Sequence, residues 1–195
     1  MALLSQTRVP LHRAAQLAWL CAAFGVLFAP AYAARPTAGP QQVQALFLLN
    51  LARFVKWPAE AFNSPTAPFV IGVTDSGSLL GTLRIVTRDE ELGGRAIVCR
   101  TVRSPGDLAE CHLVFIASEA LPTLASRLPE LETSHVLLVS DAEGFLLLGG
   151  HVQFVNRAGR IRLRLAPDNL RRAELHASAQ LLRVADAPAL SRSRR

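Results

Sequence analysis

Apolar residues recur along this chain in short runs that alternate between two kinds of pattern. Four runs are short, rich in β-branched and aromatic residues and bounded by turn residues, which predicts strands over 69–75, 95–102, 111–118 and 135–141. Helical spacing and capping residues predict helices over 41–56, 76–91, 121–132 and 167–185. Strands alternating with helices predict an α/β fold, one domain with a largely parallel sheet and helices on both faces. "HVQFV" and "RIRLRL" around "NRAG" add a C-terminal antiparallel hairpin.

The opening helix carries an amide inside an apolar stretch, "FLLNLARFVKWP". At 100° per residue, most of its apolar side chains fall on one broad arc, and Asn50 lies near the middle of that arc. Since a buried amide needs a hydrogen-bond partner, we expect Asn50 either to bond a neighbouring loop or to line a ligand pocket beside Trp57. Leu48 and Leu49 fall away from the centre of the arc. They are either covered by a loop or form an exposed patch that binds a partner.

Two loops that carry acids follow predicted strands, and they contain Asp75 and the pair Ser140 and Asp141. In a parallel sheet both loops lie at the carboxyl edge, where open α/β sheets bind ligands. Asp75 also precedes a helix, so helix capping explains it equally well. No dinucleotide fingerprint, P-loop or serine elbow is present, so we expect neither an enzyme nor a cofactor. The pair Cys111-His112 has no second pair at ligand spacing, so we expect no metal site.

The N-terminus has the layout of a secretory signal peptide over residues 1–33. Arg8 and Arg13 precede a long apolar run, and an Ala-x-Ala pattern ends at Ala33. The alternative is an uncleaved membrane anchor, since the apolar run is long for a signal peptide. We therefore expect a periplasmic protein with a leader at 34–40, a folded domain at 41–186 and a flexible basic tail at 187–195.

Cleavage would leave two cysteines, Cys99 and Cys111, and one disulfide is expected in an exported domain. Cys99 lies within a predicted strand and Cys111 begins the next, so the two are expected to meet across adjacent strands.

Cleavage also removes two arginines and no acids from the 21 basic and 15 acidic side chains, which leaves a net charge of about +4. This charge is mild and has no aromatic-plus-basic cluster, so we expect no nucleic-acid partner. Arginines alternate with apolar residues over 160–165 and form an outward stripe, either solvated or facing an acidic partner or an anionic membrane.

"ALFLLNLARFVKWP", "CHLVFIAS" and "VLLVSDAEGFLLLGG", followed by "LRRAELHASAQLLRVA", resemble the YfiR family in the right order over the whole mature chain. The resemblance implies an α/β periplasmic domain, often a homodimer. Its best-understood members repress an inner-membrane diguanylate cyclase by binding the periplasmic part of that enzyme, and release raises cyclic-di-GMP and promotes biofilm formation. The alternative function is a small-molecule sensor for another inner-membrane signalling protein. The chain departs from the family pattern at Ala166, usually asparagine, and near Glu174, usually glycine, so no binding role is carried onto either.

Overall fold

The structure is a computed structural model that describes residues 39–74, 77–131 and 133–185. The predicted signal peptide and basic tail therefore lie outside the described residues, as do Asp75 and most of the predicted leader. The described chain forms one α/β unit with its own apolar core.

The elements follow the predicted alternation of strands and helices. The strands are β1 (Val55–Lys56), β2 (Phe69–Val73), β3 (Glu91–Leu92), β4 (Arg95–Thr101), β5 (Leu113–Ile116), β6 (Leu137–Ser140), β7 (Val152–Arg157), β8 (Arg160–Leu165) and β9 (His176–Ala177). The α-helices are α1 (Pro40–Phe54), α2 (Ser78–Val86), α3 (Leu121–Leu124), α4 (Pro167–Arg172) and α5 (Ala179–Val184). Turns of 3-10 helix cover Ala59–Ala61, Pro105–Leu108, Ala125–Leu131 and Phe145–Leu148.

The main sheet has seven strands in the order β3-β4-β2-β5-β6-β7-β8. The five inner strands are parallel, and β3 and β8 pair antiparallel at the two edges. The predicted hairpin is present as β7 and β8. Ala158 and Gly159 both have positive φ at its turn, as the favoured two-residue hairpin turn requires. The α/β fold with a largely parallel sheet is therefore confirmed.

Side chains of the sheet alternate between two apolar clusters, one on each face, because successive strand residues point to opposite sides. The first cluster packs under α1 and α2 and includes Leu113 and Phe115 of β5. The second packs under α3 and the 3-10 turns and includes Val114 and Ile116 of the same strand. Helical segments thus cover both faces, and the central strands β2, β5 and β6 are almost entirely buried, as expected where neither side of a parallel sheet meets water.

Helix α1 ends at Phe54, two residues before the predicted end at Lys56. Val55 and Lys56 instead pair with Ala177 and His176 in a small antiparallel sheet, β1 with β9. Pro58 had indicated a stop nearby, since a residue before proline avoids the helical conformation. The tertiary pairing moves that stop two residues earlier.

The predicted last helix over 167–185 is wrong as a single element. It breaks into α4, β9 and α5, and the break falls at Glu174, which has φ of 57°. A left-handed residue of this kind ends a helix and favours glycine, because a side chain there crowds the backbone. Ser178 then begins α5 by accepting a hydrogen bond from the Leu181 N–H at 3.2 Å.

Candidate functional site

A crevice of about 530 Å³ opens at the carboxyl edge of the sheet, between the ends of β2 and β5. The chain leaves β2 toward β4 on one side, whereas β5 leads to β6 on the other, so the strand order reverses at this point. Open α/β sheets bind ligands at such a reversal. We call this space the edge crevice. Its described lining residues are Gln41, Gln44, Thr74, Ser78, Leu79, Phe115, Ala117, Glu119, Ala120 and Asp141.

Side-chain hydrogen bonds tie the strand ends around the edge crevice to one another. Thr74, after β2, accepts a hydrogen bond through Oγ1 from the Ala117 N–H at 2.8 Å. Asp141, after β6, accepts one through Oδ1 from the Ser118 N–H at 2.9 Å. The two side chains therefore hold the loop that follows β5 from both sides, which gives the crevice a defined wall.

The edge crevice combines a carboxylate pair with hydrogen-bonding amides. Desolvation raises the pKa of Asp141, the negative charge of Glu119 adds to the rise, and the hydrogen bond from Ser118 opposes it. Gln41 and Gln44, from the first turns of α1, line the same crevice. Carboxylate, amide and hydroxyl groups of this kind suit a small polar ligand with hydrogen-bond donors.

The structure brings only part of the predicted ligand site to the edge crevice. Asp141 lines it, as the parallel-sheet argument predicted. Ser140 is fully buried on the opposite face of β6, where its Oγ accepts the Ala142 N–H at 3.0 Å. Ser140 is thus an internal partner of the following loop, and its placement in a ligand site is wrong because alternation turns it inward.

Asn50 is exposed on α1, so the expectation of a buried, loop-bonded amide is wrong. Ala45 and Ala52 mark the buried side of α1, because small residues let the helix approach its neighbours closely. Helix α1 carries apolar side chains on nearly every side. Their average direction around the helix axis therefore did not identify the side that is buried. Asn50 instead rims a narrow groove of about 140 Å³ between α1 and α5, the α1–α5 groove. The groove is lined by Phe47, Asn50, Leu51, Phe54, Leu163, Gln180, Leu181 and Val184.

Leu48 and Leu49 are buried, with 0% and 4% of their surface exposed. The predicted exposed patch at these two leucines is therefore wrong. They lie on the side of α1 that carries Ala45 and Ala52, where α2 packs against α1. On α1 the exposed large apolar residue is Leu46, at 43% exposure, one turn before Asn50 of the α1–α5 groove.

Trp57 lies apart from Asn50, in an aromatic stack at the amino end of β5. Its indole Nε1–H donates to the His112 carbonyl oxygen at 3.2 Å, and its ring meets Phe69 edge-on with 4.8 Å between centroids. Trp57 is absent from the described lining of the α1–α5 groove, so the predicted pocket shared by Asn50 and Trp57 is wrong. Trp57 thus anchors the loop that follows β1 on the sheet.

His112 holds that loop through both nitrogens of its imidazole ring, which the sequence did not reveal. Nδ1 accepts the Val70 N–H at 3.0 Å, so Nε2 carries the proton and donates to the Ala61 carbonyl oxygen at 3.1 Å. The ring stacks on Phe62 and Phe69 at 4.6 and 5.0 Å. Desolvation accordingly lowers the pKa of His112 and favours the neutral ring.

The expected disulfide between Cys99 and Cys111 is wrong, because both are free thiols on opposite faces of the sheet. Cys99 lies opposite Ile71 of β2, and Ile71 lies opposite Leu113 of β5. Strand β2 therefore separates the two cysteines by about two strand spacings, roughly 10 Å. A disulfide needs Cα atoms within about 7 Å. Burial raises the pKa of Cys99 and raises that of Cys111 to about 11.

The described residues contain neither a cluster of metal ligands nor a membrane-spanning helix. Among residues 39–74, 77–131 and 133–185, no group of three His, Cys, Asp or Glu side chains could hold a metal ion. In the same ranges, every helix is too short or too polar to cross a membrane.

A family model described as YfiR/HmsC-like matches residues 41–186, which include the whole described sheet. The chain belongs to the YfiR/HmsC-like family. The predicted resemblance is thereby confirmed, and the family is one of periplasmic regulators rather than catalysts. A search of curated proteins finds no match to the chain.

Proposed function

We propose that this chain is exported to the periplasm and represses an inner-membrane diguanylate cyclase by binding the periplasmic region of that enzyme. The observation that carries the proposal is the YfiR/HmsC-like match over residues 41–186. The N-terminal pattern supports export, since a positive segment, an apolar run and an Ala-x-Ala pattern precede the domain.

The α1–α5 groove is our choice for the surface that contacts the cyclase. Phe47 and Phe54 form part of its described lining, and Leu46 and Val184 present 43% and 61% of their surfaces to solvent. Large apolar side chains beside a groove provide the anchors that carry most of the binding energy in protein interfaces. Asn50 at the rim can donate and accept hydrogen bonds, which would fix the orientation of the bound segment.

The test is a gene deletion followed by complementation, with cellular cyclic-di-GMP as the readout. Deletion is expected to raise cyclic-di-GMP, and the wild-type gene is expected to restore the original level. Val184→Glu is expected to restore it poorly, because a charge at an apolar anchor must be desolvated when the partner docks. Native emission of Trp57 would show that the variant is folded.

Ile85→Glu is the matched control, because Ile85 is 70% exposed on α2 and lies outside the described lining of the α1–α5 groove. It is expected to complement like wild type. Equal failure of the two variants would refute the choice of groove, and a cyclic-di-GMP level indifferent to deletion would refute repression itself.

The edge crevice supports a second candidate function, a periplasmic sensor of a small polar molecule. Its volume of about 530 Å³ falls in the range of ligand pockets, and Asp141 stands at the point where such sheets bind ligands. A ligand of this site would raise the melting temperature of wild type by mass action. It would raise that of Asp141→Asn less. Ligand stabilisation without any effect of deletion on cyclic-di-GMP would favour the sensor.

A further inference from the structure

Four arginines share one face of the β7–β8 hairpin. Arg160, Arg162 and Arg164 alternate along β8 with residues that pack toward the first apolar cluster. Arg157 of β7 lies directly opposite Arg160 in the strand register, so its side chain points to the same side. Successive arginines on β8 are about 7 Å apart, since a strand advances about 3.4 Å per residue. The face is therefore a row of guanidinium groups at the edge of the sheet.

Three of these arginines have no carboxylate neighbour in the described chain. Arg53, Arg100, Arg127 and Arg171 each form an ion pair with an acidic side chain, whereas Arg160, Arg162 and Arg164 form none among the described residues. Arg160 and Arg162 are also exposed. A guanidinium keeps its charge at any physiological pH. Arg160, Arg162 and Arg164 thus form a permanent positive surface without a paired carboxylate among the described residues.

Two exposed leucines lie on the same side of the sheet. Leu147 is 81% exposed and Leu148 is 47% exposed, in the 3-10 turn that begins at Phe145 of the second cluster. The Gln153 side chain of β7 donates to the Ala142 carbonyl oxygen at 2.7 Å, three residues before this turn begins. Gln153 lies opposite Arg164 in the hairpin register, so this hydrogen bond ties the chain that leads into the leucine turn to the strand pair that carries the arginine row.

We propose that this surface, the arginine–leucine face, adsorbs the domain to an anionic phospholipid membrane. The arginines would pair with lipid phosphates, and Leu147 would enter the boundary between headgroups and acyl chains. The proposal rests on the proposed function for its location beside the inner membrane. It also suits that function, because the α1–α5 groove lies on the opposite face of the sheet and stays open to a membrane-bound partner.

Charge complementarity favours a membrane over an acidic protein segment as the occupant. A row of evenly spaced guanidinium groups beside protruding leucines matches a surface that is anionic above and apolar below. Each basic residue near an anionic bilayer strengthens binding about fivefold. Removing two arginines is therefore expected to weaken binding about 25-fold.

The experiment uses protein exported by its own predicted signal peptide, purified from the periplasm, and mixed with phospholipid vesicles. One set of vesicles contains phosphatidylglycerol and phosphatidylcholine in equal parts, and the other contains phosphatidylcholine alone. Co-sedimentation is expected with the anionic vesicles only, and added salt should weaken it because exposed charges are screened. Soluble glycerol phosphate is expected to compete poorly, since it offers one phosphate rather than a surface.

The arginine variant is Arg160→Gln with Arg162→Gln, and its matched control is Arg84→Gln with Arg88→Gln. The control removes the same charge from exposed positions on and just after α2. The first pair is expected to lose about 25-fold in affinity relative to the control pair.

Leu147→Gln is expected to weaken binding in a way that salt does not change, and Ile85→Gln serves as its control. Equal loss in the two arginine pairs would overturn the assignment of the face. So would equal binding to both kinds of vesicle, or no binding at all. Cyclic-di-GMP plays no part in this assay, so its outcome is separable from that of the proposed repression.

Discussion

Acid should destabilise this domain through His151, a buried histidine just before β7. Only 1% of its surface is exposed. Its Nδ1 accepts the Leu138 N–H at 2.9 Å, while its own backbone N–H donates to the Leu138 carbonyl oxygen at 3.1 Å. The imidazole therefore acts as an extra acceptor in the pairing of β6 with β7. Its Nε2 has no hydrogen-bond partner in the described part of the chain.

The magnitude follows from the pKa of that ring. Burial, with a smaller contribution from the Arg172 charge, lowers the pKa of His151 from 6.5 to about 4. Each unit corresponds to about 1.4 kcal/mol, so the shift corresponds to about 3 kcal/mol of unfolding free energy. Between these two pKa values the unfolded chain binds a proton that the folded chain does not. This contribution of His151 to the free energy of unfolding is therefore complete above pH 6.5 and is lost as the pH falls toward 4.

The assay is urea unfolding followed by Trp57 emission, near pH 7 and near pH 4, for wild type and His151→Asn. The asparagine side chain can accept the Leu138 N–H through its oxygen but does not titrate. Other titrating groups, His112 among them, are common to both proteins and cancel in the comparison. Wild type is expected to lose about 3 kcal/mol more than the variant between the two pH values. An equal loss would refute the assignment to His151.

Three further predictions concern packing, backbone strain and the thiols. Gly72→Ala is expected to lower the free energy of unfolding, measured in urea, by about 1–3 kcal/mol, because an added Cβ would lie 2.7 Å from the Cys111 sulfur. An unchanged free energy would show that the neighbouring side chains shift easily. Glu174→Gly is expected to stabilise the domain by about 1 kcal/mol, because glycine relieves the backbone strain of the left-handed conformation at this position. The substitution loses only an exposed contact with His135. A lower melting temperature than wild type would contradict this prediction. Cys99 and Cys111 are both expected to react with an alkylating reagent, and only after unfolding; protection from alkylation in the unfolded, non-reduced protein would contradict the free thiols.

The sheet could be predicted from the sequence because its signal is local. Short β-branched runs such as residues 111–118 end in turn residues and are too short to be core helices. Their alternation with helices implied parallel strands, and this placed Asp141 at the carboxyl edge before any geometry was known. The argument failed at Ser140 because a difference of one residue changes the face of the strand.

The errors have in common that they depend on which elements become neighbours. The residues around Asn50 are apolar on nearly every side, so hydrophobicity did not identify the side that α2 covers. Cys99 lies on β4 and Cys111 lies two residues before β5, the next strand along the chain, but β2 inserts between the two strands because the strand order reverses there. Strand order is a property of the whole fold, and no local pattern near either cysteine reports it.

The break at Glu174 was missed for a different reason, because its local signal points the wrong way. Residues 167–185 are amphipathic, and position 174 carries a glutamate rather than a glycine. Glu174 adopts the left-handed conformation without being the residue type that normally indicates it. Tertiary pairing of β9 with β1 overrides the local preference for helix.

The most direct test of repression from the periplasm compares two forms of the gene in a strain that lacks it. One form carries the complete sequence, and the other lacks residues 2–33 and stays in the cytoplasm. Cyclic-di-GMP is measured in both strains at matched protein levels. The account predicts that deletion raises cyclic-di-GMP and that only the complete form returns it to the original level. An unchanged level after deletion, or equal rescue by the form without residues 2–33, would contradict repression from the periplasm.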